Sequence, residues 1–354
     1  MYKLIRPLLF MLDPERAHNL VSSLGKVAQG TPPVSYLMQK AYRVQDDRLR
    51  IELFDTIFEN PVGLAAGFDK NAELIDFSYD LGFGFTEVGS ATARGGEGNP
   101  KPRIFRYPKD EAIVNRMGLN NIGTMSIVAN IKSNLSTLTS ALRNYPIGLN
   151  IAKTNNSEIV GDDAIKDFVY SFRHGATIAD YITINISCPN TKEGKTFEDP
   201  VALDSLLGAI KAEKEKVPTL VKISPTLHHA DLEKVIRVCT KHKMDGYVVS
   251  NTQPHVGPAG TGGLSGKPLR EISTEQIRRV YEMLEGAKPI IGVGGIDSAE
   301  TAYEKIKAGA SLVQVYTGLI YQGPSLVKEI NKGILRLFDL VGFKSVKEAV
   351  GIEK

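Results

Sequence analysis

The chain has 354 residues, of which 42% are hydrophobic and 23% charged, and its net charge is +3. This composition is ordinary for a globular protein and allows one large domain with an appendage. The small charge and the lack of a basic run with interleaved aromatic residues argue against nucleic-acid binding. Two cysteines exclude a disulfide framework, and neither has a metal-ligand neighbour at a familiar spacing, so we expect no metal and a reducing, cytosolic compartment.

Residues 1–45 form a separate N-terminal extension with two short apolar elements. The first carries Leu4, Ile5, Leu8, Leu9 and Met11. Asp13-Pro14 then predicts a helix start, because Asp caps helices and Pro is favoured at their first position. Such a helical hairpin either packs on the end of the main domain or lies in the headgroup layer of a membrane as an interfacial anchor. Its apolar run is too short to span a bilayer and lacks the features of a secretory signal.

Residues 46–354 alternate short apolar runs with amphipathic segments. Runs that are apolar throughout are typical of parallel strands buried on both faces. Eight such units predict an α/β fold, a (β/α)8 TIM barrel, in preference to a doubly wound sheet. Residues 99–116 predict an extra β-hairpin after strand 2. The eight candidate strands are 61–66, 84–90, 146–152, 180–187, 219–224, 246–251, 289–295 and 312–317.

Glycines follow strands 7 and 8, where TIM barrels commonly bind phosphate. Gly294-Gly295 and Gly318 allow backbone N–H groups to approach a phosphate closely. Asp297 and Glu300 predict a capping box at the start of the next helix. The alternative is a tight strand-to-helix turn without a ligand.

Two lysines and a set of asparagines fall at the same ends of the strands. Lys222 lies in an apolar strand, where an ammonium group needs a buried ion pair or an anionic cofactor, and Lys70 at the end of strand 1 suits a substrate carboxylate. Amides donate and accept hydrogen bonds, which suits a planar ring such as a pyrimidine. The asparagines are Asn115, Asn150, Asn185, Asn190 and Asn251.

The two cysteines have different surroundings in the sequence. Cys239 lies among Val235, Ile236 and Val238 and is expected in the core. Cys188 follows strand 4 among polar residues, which favours a general base over a packing role.

Five segments carry a resemblance to a known family. Residues 115–121 (NRMGLNN), 185–191 (NISCPNT), 261–266 (TGGLSG) and 291–297 (IGVGGID) resemble dihydroorotate dehydrogenases. Residues 12–18 (LDPERAH) are similar to the membrane-associated, quinone-using class 2. The resemblance covers nearly the whole chain.

The resemblance implies FMN as cofactor, dihydroorotate as substrate in de novo pyrimidine biosynthesis, and Cys188 as the base that removes a proton from it. A quinone tunnel would include His18, Arg106 and Tyr316. FMN would contact Ala65, Ala66, Gly67, Phe68, Asp69, Ser90, Asn150, Asn185, Lys222, Ser250, Gly266, Gly295, Tyr316 and Thr317. The substrate would contact Lys70, Asn115, Arg116, Met117, Gly118, Leu119, Asn185, Asn190, Asn251 and Thr252.

Two positions depart from the class 2 pattern. Class 2 enzymes usually have serine at Cys188 and phenylalanine at Leu119, whereas the residues here resemble class 1; Thr191 is as in class 2. Class 2 resemblance further implies a monomer, peripheral on the cytoplasmic side of the cell membrane. The alternatives are a soluble fumarate-dependent enzyme of the same family, a membrane-docked flavin-binding protein without turnover, and a phosphosugar barrel.

Overall fold

The computed structural model describes residues 2–137, 144–187, 196–258 and 260–353. It opens with three helices, α1 (Tyr2–Met11), α2 (Pro14–Gln29) and α3 (Pro32–Tyr42). The Asp13 carboxylate accepts the N–H groups of Glu15 and Arg16, each at 3.0 Å, so the predicted cap is confirmed. The third helix was not predicted; it also begins with prolines, which its first turn tolerates because those N–H groups have no helical partner.

The remaining elements alternate as the sequence predicts. In chain order they are β1 (Ile51–Leu53), β2 (Thr56–Phe58), β3 (Val62–Leu64), α4 (Ile75–Asp80), β4 (Phe85–Ala91), β5 (Ile104–Tyr107), β6 (Ala112–Asn115), α5 (Thr124–Thr137), β7 (Ile147–Ile151), α6 (Gly161–Gly175), β8 (Tyr181–Asn185), α7 (Pro200–Ala212), β9 (Thr219–Ile223), α8 (His229–Lys241), β10 (Gly246–Val249), β11 (Gln253–Gly257), β12 (Gly260–Gly266), α9 (Arg270–Met283), β13 (Ile290–Val293), α10 (Ala299–Lys307), β14 (Leu312–Val315), α11 (Thr317–Gln322), α12 (Leu326–Val341) and α13 (Val346–Ala349).

Within the described residues, eight parallel strands close a barrel in the order β10-β13-β14-β3-β4-β7-β8-β9. The predicted barrel is therefore confirmed, with each candidate strand present. The strands are buried on both faces because helices cover the outside and side chains fill the inside. Cys239 on α8 is fully buried in this core, as expected.

The predicted hairpin after strand 2 is β5–β6, and it belongs to a larger sheet. Strands β11 and β12 complete a four-stranded antiparallel sheet in the order β11-β12-β6-β5. Strand β12 was not predicted, because its glycines weaken strand propensity. A Cβ at Gly262 would lie 2.7 Å from the Asn115 carbonyl oxygen, so close backbone approach accounts for one of these glycines.

The predicted capping box at Asp297 and Glu300 is wrong. Ser298 caps α10 instead, and its hydroxyl accepts the Thr301 N–H at 3.3 Å while the Thr301 hydroxyl accepts the Ser298 N–H at 3.0 Å. Asp297 is occupied elsewhere, because its carboxylate accepts two hydrogen bonds from Arg270 at 2.6 and 2.7 Å. Asp297 therefore pairs with Arg270, 27 residues away in the sequence, and does not cap the helix.

Candidate functional site

A cavity of about 420 Å³ opens at the carboxyl ends of the barrel strands and continues beneath α1 and α2. Its wall includes most of the residues proposed from the sequence: Ala65, Ala66, Gly67, Phe68, Lys70, Ser90, Asn115, Met117, Gly118, Leu119, Asn185, Lys222, Ser250, Asn251, Thr252, Gly266, Gly295, Tyr316, Thr317, His18 and Arg106. Asp69, Asn150 and Arg116 do not line it. Cys188 and Asn190 lie outside the described residues.

Asp69 and Asn150 instead support the wall from behind. The buried Asp69 carboxylate accepts the N–H groups of Glu73 and Leu74 at 2.9 and 2.8 Å and so fixes the turn after β3. Burial raises the pKa of this carboxyl group. Asn150 is fully buried on β7, directly behind Ser90 and Asn185.

The glycine turn after β13 has the geometry of an anion cradle. A Cβ at Gly295 would lie 2.4 Å from the Arg270 Cα, and φ is +69°, so only glycine fits. Among the described residues, the N–H groups of Gly294 and Gly295 have no hydrogen-bond acceptor. Gly318 abuts this turn, since a Cβ there would lie 2.0 Å from the Ile296 carbonyl oxygen. The two glycine loops therefore meet at one point, with free donors.

A buried carboxylate that the sequence analysis missed orients the amides. Glu87 on β4 is fully buried in the barrel and accepts hydrogen bonds from Asn150 Nδ2 at 2.8 Å, Gln314 Nε2 at 2.8 Å and Tyr181 Oη at 3.2 Å. Because Nδ2 of Asn150 faces Glu87, its Oδ1 faces the cavity side, where it accepts from Ser90 Oγ and, at 3.5 Å, from Asn185 Nδ2. The sequence did contain a signal for Glu87, because it is a charged residue within an apolar strand. Lys222 was singled out for the same reason.

The end of strand β8 is anchored immediately before Cys188. The Ser187 carbonyl oxygen accepts from Asn251 Nδ2 at 2.7 Å, and Ser187 Oγ donates to the Lys222 carbonyl oxygen at 3.1 Å. Lys222 is itself buried on β9, in register with Asn185. Contacts with β9 and with the segment that follows β10 therefore fix the backbone that leads into the proposed base.

Two basic side chains near the middle of the cavity have lowered pKa values. Burial lowers the pKa of Lys70 to about 8, and the nearby Arg103 acts in the same direction. Burial and the charge of Lys70 lower the pKa of His18 to about 4, so the imidazole is neutral at neutral pH. A protonated Lys70 would stabilise an anion beside it. The neutral His18 ring adds no charge to the cavity.

The outer part of the cavity is aromatic and apolar. The His18 ring meets the Phe68 ring edge to face at 5.1 Å, and Phe68 meets Tyr316 at 5.5 Å. Arg106 closes the side by donating to the carbonyl oxygens of Leu9, at 3.2 Å, and Leu12. Its guanidinium also lies 4.5 Å from the centre of the Phe10 ring. The three proposed tunnel residues thus line one passage.

An ion pair that was not predicted joins the helical extension to the segment just before β5. Arg103, which precedes β5, donates two hydrogen bonds to Glu15 of α2, at 2.7 and 3.2 Å. The Arg103 carbonyl oxygen accepts the Arg116 N–H at 2.8 Å. The partners are 88 residues apart, so no local pattern in the sequence could have paired them.

Comparison with known proteins agrees with this architecture. A family model described as dihydroorotate dehydrogenase matches residues 48–338. The dihydroorotate dehydrogenase (quinone) of Natronomonas pharaonis is 42% identical over 360 residues, covering 100% of this chain and 99% of that protein. The mitochondrial dihydroorotate dehydrogenase (quinone) of Mus musculus is 39% identical, covering 97% of this chain and 87% of that protein.

A solved structure is also similar over nearly the whole chain. It is the dihydroorotate dehydrogenase of Eimeria tenella in complex with ferulenol, with a TM-score of 0.87, 33% identity, and coverage of 96% of both chains. The chain therefore belongs to the dihydroorotate dehydrogenase family, and within it to class 2.

Proposed function

We propose that this protein oxidises dihydroorotate to orotate with bound FMN and passes the electrons to a membrane quinone. The observation that carries the proposal is that one continuous cavity has an inner part lined by polar side chains and amides and an outer part lined by apolar side chains. One cofactor in such a cavity can meet a polar substrate on one side and an apolar acceptor on the other. The family membership and the names of the full-length relatives support the same reaction.

The donor set fits FMN. The cavity volume falls within the range of about 300–1,000 Å³ typical of small-molecule sites. The N–H groups of Gly294 and Gly295 suit a phosphate, and the buried ammonium of Lys222 suits a ring edge that becomes anionic. When bound, the flavin would supply the two-electron acceptor that the side chains lack.

The inner residues suit a pyrimidine carboxylate. Lys70 offers a charge to the carboxylate, and the amides of Asn115, Asn185 and Asn251 offer paired donors and acceptors to the ring. We assign the removal of the substrate proton to Cys188. The bonds that anchor Ser187 support this assignment, because a general base needs a fixed approach to the proton.

The outer helices suit a lipid surface. Several apolar side chains of α1 and α2 are exposed, including Leu8 at 65%, Met11 at 82% and Val27 at 68%. No helix within the described ranges is both long and apolar enough to cross a bilayer. We propose that residues 1–45 form a peripheral quinone-access unit on the cytoplasmic side of the cell membrane and that residues 46–354 form the catalytic barrel.

Anaerobic titration of the purified yellow protein with dihydroorotate tests the main proposal. We expect the flavin absorbance to bleach, and a ubiquinone or menaquinone analogue to restore it faster than fumarate does. Failure to bleach would favour a flavin-binding protein without turnover. Faster recovery with fumarate would favour the soluble type of enzyme.

Flotation with vesicles containing anionic lipids tests the peripheral contact. We expect the full chain to float with the vesicles and Leu8→Glu/Val27→Glu to remain behind. The exposed pair Val201→Glu/Leu340→Glu, which lies on barrel helices, is the matched control. Sedimentation at equilibrium tests the further proposal that the detergent-solubilised protein is a monomer, and a dimer mass would contradict it.

A further inference from the structure

A fully buried lysine lies behind the glycine turn and takes no part in the reaction described above. Lys305 on α10 is 0% exposed. Its Nζ donates to Ser273 Oγ at 2.6 Å, Thr274 Oγ1 at 3.0 Å and the Arg270 carbonyl oxygen at 3.4 Å. These acceptors are all neutral, and no carboxylate lies within 4.0 Å of Nζ in the part of the chain that the structure describes.

Such a charge is costly inside a protein. Burial lowers the pKa of Lys305 to about 7; the charge of Glu304 opposes this shift and that of Arg270 adds to it. The neighbouring cation, Arg270, is compensated by Asp297. A buried ammonium that has only neutral partners is destabilising unless an anion approaches it.

Hydrogen bonds connect Lys305 to the glycine turn. Ser273 Oγ, which accepts from Lys305, donates to the carbonyl oxygens of Val293 at 2.8 Å and Gly294 at 3.4 Å. The second of these carbonyls belongs to the peptide that carries the Gly295 N–H. A donor on that carbonyl polarises the peptide and makes its N–H a stronger donor to an anion.

We propose that Lys305 is a positioning residue for the phosphate of the flavin. It holds the Gly294–Gly295 turn through Ser273 and compensates the phosphate charge from behind the turn, without touching the ligand. The inference rests on the proposed FMN site and assigns to it a residue outside the cavity wall.

Lys305→Met is a suitable variant because it leaves no stranded polar group. Ser273 keeps its bonds to the turn, and Thr274 Oγ1 keeps its bond to the Arg270 carbonyl oxygen at 2.9 Å. Methionine has a similar length and avoids the cost of burying an ammonium group. We therefore expect the flavin-free variant to unfold at the same temperature as the wild type or higher.

The full-length chain, freed of flavin, is titrated with FMN and with riboflavin, which lacks the phosphate. In Lys305→Met we expect the dissociation constant of FMN to rise about tenfold and that of riboflavin to change less than about twofold. Lys307→Met is the matched control, because Lys307 lies two residues along α10 and pairs with Glu353. It should leave both constants unchanged.

The possible outcomes separate this inference from the proposed function. If wild-type protein binds both flavins equally, the phosphate site itself is wrong. If the wild type prefers FMN and Lys305→Met retains the full preference, or weakens both flavins equally, only the role of Lys305 is wrong.

Phosphorus-31 NMR of the FMN-loaded protein supplies a readout of charge. In the wild type we expect the second pKa of the bound phosphate to lie below the value of about 6 for a free phosphate ester. In Lys305→Met it should move upward. A wild-type value at or above that of free FMN would overturn the proposal even if the variant failed to fold.

Discussion

The inner and outer parts of the cavity are built in different ways. Inner side chains come from barrel strands, and buried hydrogen bonds such as those of Glu87 and Asn251 fix them. The outer part lies between the N-terminal helices and the barrel, and its side chains come from both, with His18 on α2 and Arg106 on β5. A polar inner part held by buried hydrogen bonds suits proton removal, which needs a fixed geometry, whereas an apolar outer part suits the entry of a lipid-soluble acceptor. The two half-reactions should therefore respond to different substitutions.

The largest effect should come from Cys188 at the inner part. We expect Cys188→Ala to slow flavin reduction by dihydroorotate by about 100-fold to 10,000-fold, because the general base is lost. Stopped-flow spectroscopy measures this step and the reoxidation by quinone separately. Reoxidation and the flavin content should be unchanged, and an alanine variant of nearly normal reduction rate would remove Cys188 from the chemistry.

Cys188→Ser tests how the choice of base sets the pH dependence of flavin reduction. A thiol has a reference pKa near 8.5, far below that of a hydroxyl group, so the cysteine should reach its high-pH plateau of flavin reduction at lower pH than the serine. Reductive half-reactions of both forms across pH measure the difference. An unshifted or reversed profile would contradict it.

Lys70 should make substrate affinity depend on pH. Its pKa of about 8 means that the ammonium is present below that pH and is lost above it, so KM for dihydroorotate should rise about tenfold per pH unit at higher pH. We expect Lys70→Met to raise KM by about thirtyfold or more at neutral pH and to flatten the profile. Lys101→Met, at an exposed lysine paired with Glu15, should keep the wild-type profile. A wild-type profile that is flat between pH 7 and 9.5 would disprove the assignment.

Glu87 should contribute strongly to the free energy of unfolding, because it holds the inner part of the cavity together. Glu87→Leu leaves three buried donors unsatisfied, so we expect the free energy of unfolding to fall by about 3 kcal/mol or more. Urea unfolding of the flavin-free protein measures this. Glu52→Leu, on the exposed face of β1, should change it by less than about 0.5 kcal/mol. If both variants lost the same free energy of unfolding, the buried hydrogen bonds of Glu87 would not contribute more than an exposed side chain does.

The smallest effect should appear at the outer part. Arg106→Met removes the bonds to the end of α1, so we expect KM for the quinone analogue to rise by about tenfold, with flavin reduction by dihydroorotate unchanged. Steady-state assays with varied quinone measure the first and stopped-flow the second. If Arg106→Met slowed flavin reduction instead, the proposed separation of the two parts would be wrong.

Much of the site could be predicted because its signals are local. The eight strands, the glycines after β13 and β14, and the Asp13 cap each depend on residues close in the sequence. The capping box at Asp297 failed because Arg270 binds that carboxylate and leaves the cap to Ser298. Strands β11 and β12 were missed because Pro254 in β11 and the glycines of β12 are residue types that are unfavourable in strands.

The sequence by itself determined the order and type of the barrel elements, the family, and the identity of the proposed base, since Cys188 is a matter of residue type and position. Only the tertiary structure decided how the buried charges are accommodated. Glu87 meets Gln314 across 227 residues, Arg103 meets Glu15 across 88, and Lys305 meets Ser273 across 32. A charge inside a barrel must find hydrogen-bonding partners wherever closure places them, and closure brings together strands that are distant along the chain.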